Sequence, residues 1–211
     1  MESLFFYKGM AKVYDLLDVI YFRDKNHNPR IAVNDYIGPQ DEMILDLCTG
    51  TAANAIAIAG RNRTATITGI DVSKEMLGIA EKKVKNSGFQ NIHLDQMDAT
   101  KMKFKDHTFN VILISLVLHE ISEELADKIL QEAKRVLKPG GKLLVIEWEK
   151  PQNPQNPCKK LLFYFIWKLE PKGFEDFLRL DMKDYFHRFG LQLYDIKHCD
   201  YTKVIDIRKE L

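Results

Sequence analysis

The chain has 211 residues, 45% hydrophobic and 29% charged, with 31 Lys plus Arg against 30 Asp plus Glu and a net charge of +1. That length and apolar content can bury a sizeable core, which excludes a fully disordered chain. The charge balance lacks the basic excess that nucleic-acid phosphates demand, so nucleic acid is not an expected partner.

Cys48, Cys158 and Cys199 are odd in number and form no Cys-x-x-Cys pair, so neither a disulfide framework nor a structural zinc site is expected. Met1-Glu2-Ser3-Leu4-Phe5-Phe6 lacks the basic-then-apolar order of a leader. The longest apolar run, Leu161 to Trp167, is too short to span a bilayer. A cytoplasmic protein is therefore the expectation.

In chain order, residues 1–40 read as helix, turn, helix. Met10, Val13, Tyr14, Leu17 and Ile20 keep helical spacing until Asn26-His27-Asn28-Pro29. Short apolar strands then alternate with amphipathic helices. The first strand is Met43 to Leu47, followed by the loop Cys48-Thr49-Gly50-Thr51 and a helix from Ala52 to Ala59. The second strand, Ala65 to Ile70, ends at Asp71, and Ser73 caps a helix with Met76, Ala80 and Val84 inward. Asn86-Ser87-Gly88 stops that helix.

Ile92 to Gln96 and Phe109 to Ser115 are the third and fourth strands. Ser122 caps a helix whose stripe is Leu125, Ile129, Leu130, Ala133, Val136 and Leu137. Lys138-Pro139-Gly140-Gly141 ends it, and Lys142 to Trp148 is the fifth strand. Near-continuous apolar strands alternating with helices predict a parallel sheet covered on both faces.

Residues 152–157 read as a linker, Cys158 to Leu169 as an aromatic helix, and Phe174 to Phe189 as an amphipathic helix. Leu161 to Trp167 is apolar nearly all round, which predicts burial against the sheet or a symmetry partner, or the lining of an acceptor pocket. A peripheral membrane contact is a further use for it, though Lys159, Lys160 and Lys168 are few cations for that. Leu191 to His198 and Lys203 to Ile207 predict an antiparallel hairpin at a sheet edge.

In an open parallel sheet, ligands bind beyond the carboxyl ends of the strands. Gly50 lies after the first strand, ahead of a helix N-terminus whose free N–H groups suit a carboxylate or phosphate. Asp71 follows the second strand, about 20 residues on, the spacing at which an acid meets a ribose. Asp98-Ala99 follows the third, an acceptor beside an N–H, able to bracket an adenine amine and ring nitrogen. Singly, each reads as a turn or a solvated cap; together they converge on one sheet edge. Gly-x-Gly-x-x-Gly and the phosphate loop are absent, which points away from nicotinamide enzymes and NTPases toward a ligand with an adenosine but no pyrophosphate.

These residues resemble class I S-adenosylmethionine-dependent methyltransferases, nearest in look to the ubiquinone/menaquinone biosynthesis group. Ile44 to Thr51 is similar to the cofactor loop, Gly69 to Leu77 to the second-strand acid and helix, Met97-Asp98-Ala99 to the adenine corner, and Arg135 to Leu143 to the turn before the fifth strand. Met10-Ala11-Lys12-Val13-Tyr14-Asp15 is similar to the covering helix of that group.

The resemblance implies an α/β, Rossmann-like three-layer sandwich with a mostly parallel seven-stranded sheet ending in an antiparallel hairpin. It implies one methyltransferase domain over 1–211: a helical cover (1–40), a cofactor-binding core (41–150), substrate-side helices (151–190) and the hairpin (191–211). It assigns S-adenosylmethionine to Tyr14, Leu47, Cys48, Thr49, Gly50, Asp71, Val72, Met76, Asp98, Ala99 and Ser115. His119, Glu120 and Tyr14 are the catalytic candidates for taking a proton from a small-molecule acceptor, with Tyr7 a further one.

The family pattern Asp/Glu-x-Gly-x-Gly-x-Gly is broken: Cys48 and Ala52 stand at its first and last glycines, and Ala52 is expected to tighten the closest approach to the cofactor. Leu-Gly-x-His-Arg-x-Trp is missing, with Tyr21-Phe22-Arg23-Asp24-Lys25 near its place, so a quinone acceptor is not carried over. Ser115-Leu116-Val117-Leu118-His119-Glu120 replaces the Asn/Asp-Pro-Pro-Tyr/Phe of nucleic-acid amino methyltransferases. The reading is a methyltransferase acting on a small apolar or aromatic acceptor. The alternative is a protein that binds S-adenosylmethionine without methylating anything itself.

Overall fold

The computed structural model describes residues 27–150, 160–161, 163–164, 167–168 and 174–209. The expected N-terminal helix with Tyr7 and Tyr14, and the 152–157 linker, lie outside these residues. Within them, Asn28 caps α1 (Pro29–Val33) by accepting from the Arg30 N–H, and Pro29 opens that helix, where its missing N–H is no loss. There follow β1 (Met43–Leu47), α2 (Ala53–Arg61), β2 (Thr66–Asp71), α3 (Lys74–Ser87), β3 (Ile92–Gln96), β4 (Phe109–Ser115), α4 (Glu123–Val136) and β5 (Leu137–Trp148). The chain ends with α5 (Phe174–Arg179), α6 (Met182–His187), β6 (Leu191–Cys199) and β7 (Thr202–Lys209).

The strands form one seven-stranded sheet in the order β3-β2-β1-β4-β5-β7-β6. The first five pair in parallel; β7 runs antiparallel to β5 and to β6. The chain order reverses between β1 and β4, so a crevice opens at the carboxyl ends of those strands. One face carries Ala55, Ile58, Ala59 and Ala80 against Ile44, Ile67 and Val111. The other carries Ile129, Leu130, Ala133, Phe177 and Phe186 against Leu45, Ile112 and Val145. Apolar residues on both faces explain why β1 and β4 read as near-continuous hydrophobic runs.

The N-caps stand where side-chain chemistry puts them. Ser73 accepts from the Met76 N–H and Ser122 from the Leu125 N–H. Gly88 ends α3 at φ +74°, a conformation that a Cβ disfavours.

Four expectations change. The stretch Phe174 to Phe189 is two helices: Asp181 accepts from the N–H groups of Lys183 and Asp184 and starts α6 afresh. Leu137 belongs to β5, paired with Phe109, and the ladder resumes at Val111–Lys142, so Lys138 to Gly141 bulges out of the strand. Leu125 is 38% exposed and faces a cleft instead of the core. In the helical stretch around Phe163, that ring is buried against Trp148 and Tyr201 whereas Leu161 and Tyr164 are exposed, so the stretch is not buried on all sides.

At the open edge, β6 carries a second irregularity between Leu193 and Asp195, with Tyr194 exposed and the Arg208 guanidinium 4.8 Å over its ring.

Candidate functional site

The carboxyl ends of β1, β2, β3 and β4 surround a cleft of about 620 Å³, within the range of small-molecule sites. Cys48, Thr49, Gly50, Asp71, Val72, Met76, Asp98, Ala99 and Ser115 all line it, as does Glu120. Leu47 does not: its side chain is fully buried in the sheet.

The loop after β1 has a specific backbone form. Cys48 (φ +57°), Gly50 (+54°) and Ala52 (+61°) all adopt the left-handed region, at the positions where the family pattern carries glycine. For a side chain this conformation is unfavourable by about 1–2 kcal/mol. Ala52 is fully buried, and its side chain is not among those lining the cleft. The expected crowding of the ligand by Ala52 is therefore corrected: the consequence of that substitution falls on the backbone. A Cβ on Gly50 would meet nothing within 4 Å, so glycine serves the dihedral there and leaves that side open.

Two carboxylates hold the loop. Asp46, buried, accepts from the Thr49 hydroxyl (2.5 Å) and the Ala55 N–H (3.2 Å). Burial raises its pKa to about 6 in spite of these bonds. Asp71 accepts from the Gly50 N–H through Oδ2 (2.9 Å) and from the Ser73 N–H through Oδ1 (2.8 Å). It bridges the first two strand ends, and its pKa too is raised by burial. Asp98 differs. It is exposed, and the N–H and hydroxyl of Thr100 donate to Oδ1 at 2.8 and 2.7 Å, lowering its pKa. Burial pushes the Cys48 thiol up to about 12, which keeps it protonated at neutral pH.

His119 is not in this cleft. It lines a second one of about 790 Å³ between the β4–α4 loop and α5–α6, with Leu118, Ile121, Phe177, Leu180 and Tyr185. Glu120 and Ile121 line both clefts, so the two adjoin. None of the described residues between 160 and 168 lines either cleft, so the acceptor-pocket reading of Leu161 to Trp167 gains no support.

Arg30 and Asn54, joined Nε to Oδ1 at 3.1 Å, line the first cleft beside Thr51 and are not among the expected site residues. Arg30 carried no local signal. Asn54 and Thr51 sat next to Gly50, which was signal enough. Glu147, fully buried and bonded to His119, did carry one: an acid at the end of the apolar run Leu143 to Ile146.

The model of the ubiE/COQ5 methyltransferase family matches residues 4–176. The chain belongs to that family. A demethylmenaquinone methyltransferase of Lactobacillus johnsonii is 34% identical over 146 residues, 68% of this chain and 57% of that protein. One from Bacillus subtilis is 38% identical over 109 residues, 51% and 46% of the two chains. One from Staphylococcus saprophyticus is 35% identical over 171 residues, 80% and 72%. The chain thus spans about half the length of the first two relatives. Among solved structures, a SAM-dependent methyltransferase from Aquifex aeolicus has a TM-score of 0.69 at 22% identity, covering 95% of this chain and 97% of that one. The mitomycin 7-O-methyltransferase MmcR has a TM-score of 0.68 at 19% identity, covering 84% and 52%. The fold is therefore the Rossmann-like fold of these methyltransferases, as the sequence predicts.

Proposed function

We propose that the chain, acting as one methyltransferase domain, transfers a methyl group from S-adenosylmethionine to a small apolar or aromatic acceptor. The observation that carries this reading is the meeting of two clefts at the β4–α4 loop. One is lined by the residues that the family's motifs mark for the cofactor; Glu120 and Ile121 line both.

The residues present fit the cofactor. The Asp71 oxygens accept backbone N–H groups of Gly50, Val72 and Ser73, and two oxygens with two lone pairs each leave room for a ribose hydroxyl. Asp98 Oδ2 and the Ala99 N–H suit the adenine edge. The N-terminus of α2 has no side-chain cap, and with Arg30 beside it suits the cofactor's carboxylate. Tyr14 is proposed as a cover. When bound, S-adenosylmethionine supplies a methyl on a cationic sulfur, an electrophile with a good leaving group. The protein's part is then in-line alignment, exclusion of water and, for a protic acceptor, removal of a proton by His119 or Glu120.

The second cleft suits the acceptor. Its wall of Leu118, Ile121, Phe177, Leu180 and Tyr185 favours an apolar ring. Glu120, Asp176, Asp181 and Asp184 also line it, and the guanidinium of Arg188 is paired with Glu123 at 2.6 Å. That charge pattern disfavours an anionic acceptor. A reduced quinone of the kind named for the relatives fits this description.

The test is calorimetry with S-adenosylhomocysteine, followed by incubation with methyl-labelled S-adenosylmethionine and a panel of phenols, quinols and apolar amines. Binding and a labelled apolar product are expected. Binding without transfer to any acceptor would favour the non-methylating alternative. NAD binding without S-adenosylhomocysteine binding would overturn both.

A further inference from the structure

Glu147 lies near the end of β5 and is fully buried. A buried carboxylate is unfavourable by several kcal/mol unless its oxygens are satisfied. Here they are. Oε1 accepts from the N–H groups of Val117 (3.2 Å) and Leu118 (2.8 Å), and Oε2 from the Trp148 N–H (3.3 Å). Oε2 also lies 2.6 Å from His119 Nδ1. With three backbone N–H groups already donating to its two oxygens, the carboxylate is placed as an acceptor toward the ring as well. The proton in the short His119–Glu147 contact is therefore assigned to Nδ1. In the neutral ring with Nδ1–H, the other nitrogen, Nε2, carries the lone pair.

The surroundings fix where that nitrogen lies. Phe174 and Phe177 pack on the imidazole at centroid distances of 5.4 and 6.2 Å. Nε2 is on the side toward Glu120, 3.8 Å from its Oε1, and Glu120 lines both clefts. Glu147 thus grips one edge of the ring, and the other edge lies buried beside Glu120, the residue that lines both clefts.

We infer that Glu147 is a positioning residue that holds His119 in the tautomer whose Nε2 takes the acceptor's proton where the two clefts meet. This rests on the methyl-transfer reading and adds the residue that orients the base. The acceptor's proton moves to Nε2, and the electron pair it leaves behind forms the bond to the methyl carbon. The pair of the broken methyl–sulfur bond stays on sulfur. The imidazolium formed is stabilised by the Glu147 carboxylate until its proton passes to water.

A residue that merely anchored the β4–α4 loop would need only a hydrogen bond to His119, of either polarity. Glu147→Gln separates the two roles. Its carbonyl oxygen can still accept from Val117 and Leu118, while its amide gives up the long Trp148 N–H bond and donates to Nδ1, so the ring must carry its proton on Nε2. Nitrogen-15 NMR of histidine-labelled protein with S-adenosylhomocysteine bound reads the tautomer without turnover. Wild type should show Nδ1–H and the Gln variant Nε2–H. The variant's kcat should fall about 100-fold or more, the range of a general base, with acceptor KM and S-adenosylhomocysteine affinity within about twofold. Glu147→Asp, which keeps a carboxylate, should retain the wild-type tautomer and recover part of kcat, and it serves if the Gln variant does not fold. An Nε2–H ring in wild type would overturn the inference. So would a Gln variant with an inverted ring and undiminished kcat, while leaving the methyl-transfer reading intact. A wild-type protein that shows the Nδ1–H ring and methylates no acceptor would overturn that reading and the base role together.

Discussion

The two clefts are built in different ways. The first is made at strand ends, from residues close in sequence to β1, β2 and β3, with backbone groups as much as side chains doing the holding. The second joins the β4–α4 loop and the first turn of α4, residues 118–126, to the α5–α6 segment, residues 176–188. A strand end places its next residue whatever the rest of the chain does. A helix–loop cleft depends on how two distant segments pack. The first cleft is therefore set by local sequence and the second by tertiary packing.

If that contrast holds, damage to one cleft should leave the other untouched. The largest effect is expected from Asp71→Ala. It removes the proposed ribose acceptor and the tie between Gly50 and Ser73, and charge-assisted hydrogen bonds contribute about 1.5–3 kcal/mol each. Calorimetry should show S-adenosylhomocysteine binding weakened about 10- to 100-fold. Unchanged affinity would mean that the first cleft is not the cofactor's.

Asp46→Asn probes the scaffold beneath that cleft. A carboxyl with its folded pKa raised from 3.8 to about 6 contributes stability that is fully present below pH 4 and lost as pH rises through 6. Asn keeps the acceptor for Thr49 and Ala55 and carries no charge. The variant should match wild type near pH 4 and exceed it by about 2–3 kcal/mol near pH 8, by urea unfolding. A pH-independent difference would show that Asp46 does not titrate in this window.

Leu180→Ala tests the second cleft alone. Leu180 is 42% exposed between α5 and α6, so stability should change little. Acceptor KM should rise about fivefold with S-adenosylhomocysteine affinity unchanged, on the order of 1 kcal/mol for a half-exposed apolar side chain. Equal losses for both ligands would break the contrast.

The smallest effect is expected from Cys48→Gly, which relieves a side chain at φ +57°. It should stabilise by about 1 kcal/mol, less what glycine gives the unfolded chain. Any stability loss would mean that packing of the thiol outweighs the dihedral.

The same contrast governs what the sequence could disclose. Met43 to Leu47 and Phe109 to Ser115 were readable to the residue, because buried strands are nearly continuous apolar runs. Ile92 to Gln96, with polar residues on its exposed face, was readable as well. Ser73 and Ser122 were readable as caps. So were the cleft-lining residues after β1, β2 and β3. The break at Leu180-Asp181 was not, because Phe177, Met182 and Tyr185 keep the face apolar on both sides of it. Leu137 looked like the last turn of a helix because only its pairing with Phe109 makes it strand. His119 was readable as a candidate, but its partner Glu147 is 28 residues away on another strand. The buried acid was visible; the residue it holds was a matter of tertiary packing.

The irregular edge strand has a consequence for how the protein behaves among its own copies. A straight outer strand offers unpaired N–H and C=O groups that another chain can zip onto. In β6 the break between Leu193 and Asp195 throws the ladder out of step, and a tyrosine capped by a guanidinium stands in the path. At the opposite margin β3 is short and turns His93 and Asp95 outward. Both margins are thus poor templates for cross-β growth. Among the described residues, neither border of the sheet offers a neighbouring copy a long strand in step with its own ladder.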